Sequence, residues 1–131
     1  VGPGLAKGKR VSAFGFLRDM YPTVCELAGI EVPKTVHAKS LVPVLRGQQI
    51  VNALGYGYFR DVQRMVWNGK WKLIYYPKLD KYQLFDIEKD PYELTDLAGL
   101  PARQSNVKRL RCTLVQWFHD QGDKVVFEVK D

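Results

Sequence analysis

Cysteine, histidine and long apolar runs are the scarce features of this chain, and each scarcity excludes a class of protein. The cysteines are two, Cys25 and Cys112. They are too few for a disulfide framework and lack the paired spacing of a zinc knuckle, so both read as free thiols. No stretch approaches the ~20 apolar residues that cross a bilayer. Val1-Gly2-Pro3-Gly4 lacks the charged-then-hydrophobic pattern of a secretion signal. No phosphate-cradling loop is present, because Gly2-Pro3-Gly4 is not followed by Gly-Lys-Ser/Thr. The first residue is Val rather than Met, so the chain is expected to be a piece of something longer, with any targeting signal upstream.

What remains has the texture of a folded domain. A length of 131 residues suits one core, and 46% hydrophobic with 26% charged residues is ordinary globular usage. Twenty Lys and Arg against 14 Asp and Glu give a net charge of +6. That surplus permits nucleic acid, anionic lipid or anionic glycan as partners and selects none of them.

Val11 to Leu17 is a short apolar stretch that reads as a buried strand. Asp19 is a suitable N-cap, Pro22 fits the first helical turn and Gly29 a helix stop, which predicts a helix over Asp19 to Ala28 with Met20, Val24, Leu27 and Ala28 as its apolar face. Ser40 before Leu41 to Leu45, with Pro43 inside and Gly47 after, predicts a second short helical turn. From Leu54 the aromatics and β-formers multiply, and Asn68-Gly69 between Trp67 and Trp71 predicts a hairpin with a type I′ turn. Trp71, Leu73 and Tyr75 alternate with Lys72 and Ile74, as in a sheet with one wetter face, and Tyr82 to Asp86 supplies a further strand. After Pro101, the residues Val107, Leu110, Leu114, Trp117 and Phe118 recur on one helical stripe, with Cys112 opposite. Lys124 to Lys130 reads as an edge strand or a frayed tail.

The expected fold class is α+β: a small antiparallel sheet of about four strands covered by a long C-terminal helix. Before it come the terminal strand and short helices of an incomplete α/β domain. The texture changes near residue 50, which divides the chain into 1–50 and 51–131. A lone strand near Val11 needs a neighbour, so the first third is read as the end of a larger sheet that precedes Val1.

Chemistry-bearing residues are thinly spread. His37 lies in a loop and His119 near a helix end, neither with a nucleophile or second partner at motif spacing, so both read as surface residues. Asp80, Asp86, Glu88, Asp90 and Glu93 are scattered through turn sequences and read as caps and turn formers, not metal ligands. Arg60, Arg64, Lys70, Trp71, Lys72, Tyr75 and Tyr76 interleave cations with aromatics, as single-strand nucleic-acid binders do. A two-faced sheet, aromatics inward and lysines solvated, is the favoured account, because Trp71 and Tyr75 share a face with Leu73.

Several segments, in order, resemble the C-terminal end of the type I sulfatases of the alkaline-phosphatase-like hydrolases. They are Gly2-Pro3-Gly4; Val11-Ser12, Asp19 and Pro22-Thr23-Val24-Cys25-Glu26-Leu27-Ala28-Gly29-Ile30; and Lys39-Ser40-Leu41-Val42-Pro43-Val44-Leu45-Arg46-Gly47. Later come Trp71-Lys72-Leu73-Ile74, Gln83-Leu84-Phe85-Asp86, Asp90-Pro91-Tyr92-Glu93-Leu94 and Asp96-Leu97-Ala98. His37-Ala38 departs from the acidic residue and Gly common in the family.

The resemblance implies that residues 1–50 close the sulfatase α/β catalytic domain and 51–131 form its C-terminal subdomain. It implies a parent that hydrolyses sulfuric esters with calcium and a formylglycine made within Cys/Ser-x-Pro-x-Arg, and that is exported. Neither Cys25 nor Cys112 has the following Pro and Arg, and Ser12, Ser40 and Ser105 fail the same test. No catalytic, cofactor-binding or metal residue is therefore assigned to this chain. Its expected partners are the missing N-terminal catalytic domain, the parent's sulfate ester and further copies of itself, with no membrane. The alternative is a stand-alone module that binds anionic glycan or single-stranded nucleic acid through a basic aromatic sheet face.

Overall fold

The computed structural model describes residues 8, 11, 13–48 and 54–123. The chain divides into two compact units, Val1–Ala53 and Leu54–Asp131.

In the first unit, Leu17–Asp19 forms a 3-10 turn that leads into helix α1, Met20–Ala28. Asp19 does not cap α1 in the expected way. Its buried carboxylate accepts the backbone N–H of Phe16 at 2.9 Å and of Lys39 at 3.2 Å. One helical turn on, the Thr23 hydroxyl donates to the Asp19 carbonyl and accepts the N–H of Leu41 at 2.8 Å. These two polar side chains thus satisfy the backbone of the segment that enters α2, Val42–Leu45. Ser40 does accept the Val42 N–H, and the helix begins one residue later than its sequence suggested.

The expected strand at Val11 to Leu17 is extended at Phe16, with φ of -90° and ψ of 153°. Residues 13–16 carry no ladder among the described residues, and the segment ends in the 3-10 turn. A strand exists only through a neighbour's backbone groups, and here the Phe16 N–H is satisfied by a carboxylate. The apolar face of α1 also departs from the core: Met20, Val24 and Leu27 are exposed, and Pro22, Thr23 and Cys25 are the buried positions.

The second unit is a meander. Strands β1 (Gly55–Phe59), β2 (Gln63–Trp67), β3 (Trp71–Tyr76) and β4 (Lys81–Asp86) pair antiparallel in that order. The hairpin at Asn68-Gly69 is present, with a different turn. Gly69 takes a positive φ of 93° and Asn68 does not, while the Asn68 side chain accepts the N–H groups of Lys70 and Trp71. Gly69 and Lys70 thus occupy the central positions, the type II′ pattern, because Asn68 is held back by its own side-chain bonds. β3 alternates as expected, with Trp71, Leu73 and Tyr75 buried.

Helix α3, Gln104–Asp120, follows a 3-10 turn at Pro101–Arg103 and lays its stripe on that face. Leu110, Leu114 and Phe118 join Val66, Trp71, Leu73, Tyr75 and Leu84 in one buried cluster, with Val107 and Trp117 at its margin. Trp117 stacks on Tyr56 at 4.3 Å between ring centres. Each fully buried Leu here contributes about 1.5–3 kcal/mol, so this cluster is the main stabilising term of the unit. Cys112 is exposed on the far side of α3, as its spacing predicted. The Lys124 to Lys130 segment lies outside the described residues.

Helices α1, α2 and α3 stop by the same device. Gly29, Gly47 and Gly122 take φ of 69°, 84° and 72°, and the following residue's N–H reaches back to the carbonyl of Cys25, Pro43 or Phe118. This is the Schellman closure, which needs a left-handed residue that glycine supplies without steric cost. At α3 it also aims Asp123 at the sheet. Asp123 grips buried Arg64 of β2 through both carboxylate oxygens, at 2.5 and 3.1 Å.

Two outcomes are expected. Leu114→Ala empties the centre of the cluster and should cost about 2–5 kcal/mol in urea unfolding. Burial, with Tyr82 and Asp80 nearby, pushes the Tyr75 phenol from 10.0 up to about 12. The fold favours the neutral phenol, so this contribution is whole below pH 10 and declines as pH rises towards 12. Tyr75→Phe should lose less stability than the parent chain between those two values, read by thermal melts across that range.

Candidate functional site

The sheet has two unlike faces. One carries the core under α3, and the other carries Gly57, Phe59, Gln63, Met65, Lys72 and Ile74 around a shallow groove of about 230 Å³. Gly57 matters there: a Cβ at this position would stand 3.1 Å from the Met65 methyl, so the notch exists because β1 lacks a side chain where it faces Met65. Phe59, at the end of β1, is exposed and has the Arg60 guanidinium over its ring at 5.5 Å.

On this same face Lys72 is held by Glu93, with Nζ 2.7 and 2.8 Å from the two carboxylate oxygens. Glu93 reaches it from the loop after β4 by adopting a φ of 58°. Asp90 starts that turn by accepting the Thr95 N–H at 2.8 Å, and this backbone bond, with those of neighbouring amides, holds its carboxyl below the usual range. Asp96 accepts the N–H of Leu84, while Leu97 donates to the Leu84 carbonyl, so the loop closes the outer edge of β4. Trp71-Lys72-Leu73-Ile74, Gln83-Leu84-Phe85-Asp86 and Asp90 to Ala98, read separately in the sequence, are one interlocked piece of structure.

The remaining candidates are dispersed. His37 is exposed in its loop, and His119 faces Asp120 at 3.6 Å on the solvent side of α3. Glu88 pairs with Lys70 at 2.7 Å, which raises the lysine's pKa, while Asp80 accepts the Tyr75 hydroxyl. Asp86 is buried beside Lys70 at 3.8 Å. Among the described residues no three His, Cys, Asp or Glu side chains converge as a metal cage would require. Of the basic aromatic set, Trp71 and Tyr75 are core, Arg64 is buried against Asp123, and Lys70 and Lys72 are paired. The groove and the left-handed turn at Arg60 are not readings the sequence offered. Only the closely spaced Gly55 and Gly57 in β1 hinted at a notch.

A four-stranded antiparallel meander closed by one long helix, after a unit of short helices, is the arrangement found in sulfatases. A sulfatase-type protein of Bacteroides thetaiotaomicron superposes with a TM-score of 0.77 over 94% of this chain and 29% of that one, at 28% identity. A 2-O GAG sulfatase gives 0.73 over 94% of this chain and 29% of that chain, at 27% identity. In sequence, arylsulfatase K of Xenopus laevis is 33% identical over 85% of the chain and 24% of its own length. The choline-sulfatase of Rhizobium meliloti is 38% identical over 76% of the chain and 20% of its own length. The family described as N-sulphoglucosamine sulphohydrolase, C-terminal, matches residues 3–120, and the chain belongs to it. It spans about a quarter or less of the length of these curated relatives.

The two principal ion pairs should differ in worth. Arg64 and Asp123 side chains are 6% and 15% exposed, those of Lys72 and Glu93 24% and 30%. Arg64→Ala takes the guanidinium away from a nearly buried carboxylate and should cost about 3 kcal/mol or more, whereas Lys72→Ala should cost about 1 kcal/mol or less. Urea midpoints of the two variants, with unchanged m-values, test the order.

Proposed function

We propose that this chain is the C-terminal portion of a sulfuric ester hydrolase. In this reading residues 1–50 close the catalytic α/β domain, and 51–131 form a C-terminal subdomain that buttresses it and lends one wall to the substrate cleft. The chain carries no catalytic, cofactor or metal residue of its own. The observation that carries the reading is the exposed apolar face of α1. Val24 is 57% exposed, with Met20, Tyr21, Leu27 and Ile30 similarly open around it. A contiguous face of this kind on a short helix is unfavourable in water and marks a surface meant to be covered. The preceding catalytic domain is the partner that family membership supplies.

Formylglycine and calcium belong to the parent in this reading, and the residues at hand do not fit either. Cys25 is followed by Glu26-Leu27-Ala28 and Cys112 by Thr113-Leu114-Val115, without the Pro and Arg of the maturation motif. The carboxylates of the second unit are engaged in turns and ion pairs rather than gathered around a common point. A stand-alone binder of single-stranded nucleic acid is disfavoured, because Trp71 and Tyr75, which would stack on bases, lie in the core.

Without its neighbour the chain should cover α1 by self-association. Sedimentation should show a concentration-dependent oligomer that becomes monomeric in Val24→Lys with Leu27→Lys at unchanged melting temperature; a parent chain already monomeric overturns the docking role. Incubated with an aryl sulfate and calcium, the chain should give no turnover above buffer. Turnover that survives repurification overturns the assignment of catalysis to the missing part.

A further inference from the structure

We draw no further inference here: the strongest candidate, the β1 edge of the sheet with the exposed Tyr58 and Phe59 and the shallow groove at Gly57 beside it, carries nothing because nothing in the structure shows what covers it.

Discussion

The second unit depends on closing α3 over one face of a four-stranded sheet. Buried leucines supply most of the stabilisation, but an apolar stripe alone leaves a helix free to slide along its groove. The register is fixed at the end, where the Gly122 closure turns Asp123 onto Arg64. Arg64 has little freedom in return: it also donates to the carbonyls of Arg60 and Gln63, and its guanidinium lies 5.4 Å from the centre of the buried Phe118 ring. One side chain ties the helix end to both the strand and the turn beside the groove. The geometry of the Arg60 turn is thereby coupled to the seating of α3.

The loop after β4 is organised by a second logic, local and polar. Asp90, Glu93 and Asp96 each bind a different target: a nearby N–H, a lysine across the sheet and the edge of β4. Carboxylates at this density could suggest a metal site, yet each is committed to the backbone or to a cation. The same economy appears in the first unit, where Asp19 and Thr23 replace a sheet ladder by holding Phe16, Lys39 and Leu41. Both devices satisfy backbone groups that irregular segments would otherwise leave unpaired.

Much of the second unit was legible because its signals are local. Period-two alternation in Trp71 to Tyr75, the Asn-Gly turn and the α3 stripe each report an interaction within a few residues or across one strand. The turn type was missed because it depends on which backbone groups the Asn68 side chain engages. Asp19 was read as a cap because a cap is the commonest local use of that residue, whereas its partner Lys39 lies twenty positions away. The exposure of the apolar face of α1 was missed for a different reason: periodicity shows which residues share a face, not what stands opposite to cover it. No catalytic group was assigned from sequence. The groove escaped notice because a notch made by Gly57 opposite Met65 exists only in the register of two strands.

The two edges of the sheet are treated unequally. β4 is sealed by Asp96 and Leu97, while β1 has no outer neighbour among the described residues. Among the described residues only the β1 edge, Gly55 to Phe59, a run without proline or charge, is open to a further strand. Gly57, which opens the groove, also lowers this strand's own tendency to recruit partners, since glycine weakens extended pairing. A single small residue thus shapes one face of the sheet and restrains pairing at its edge.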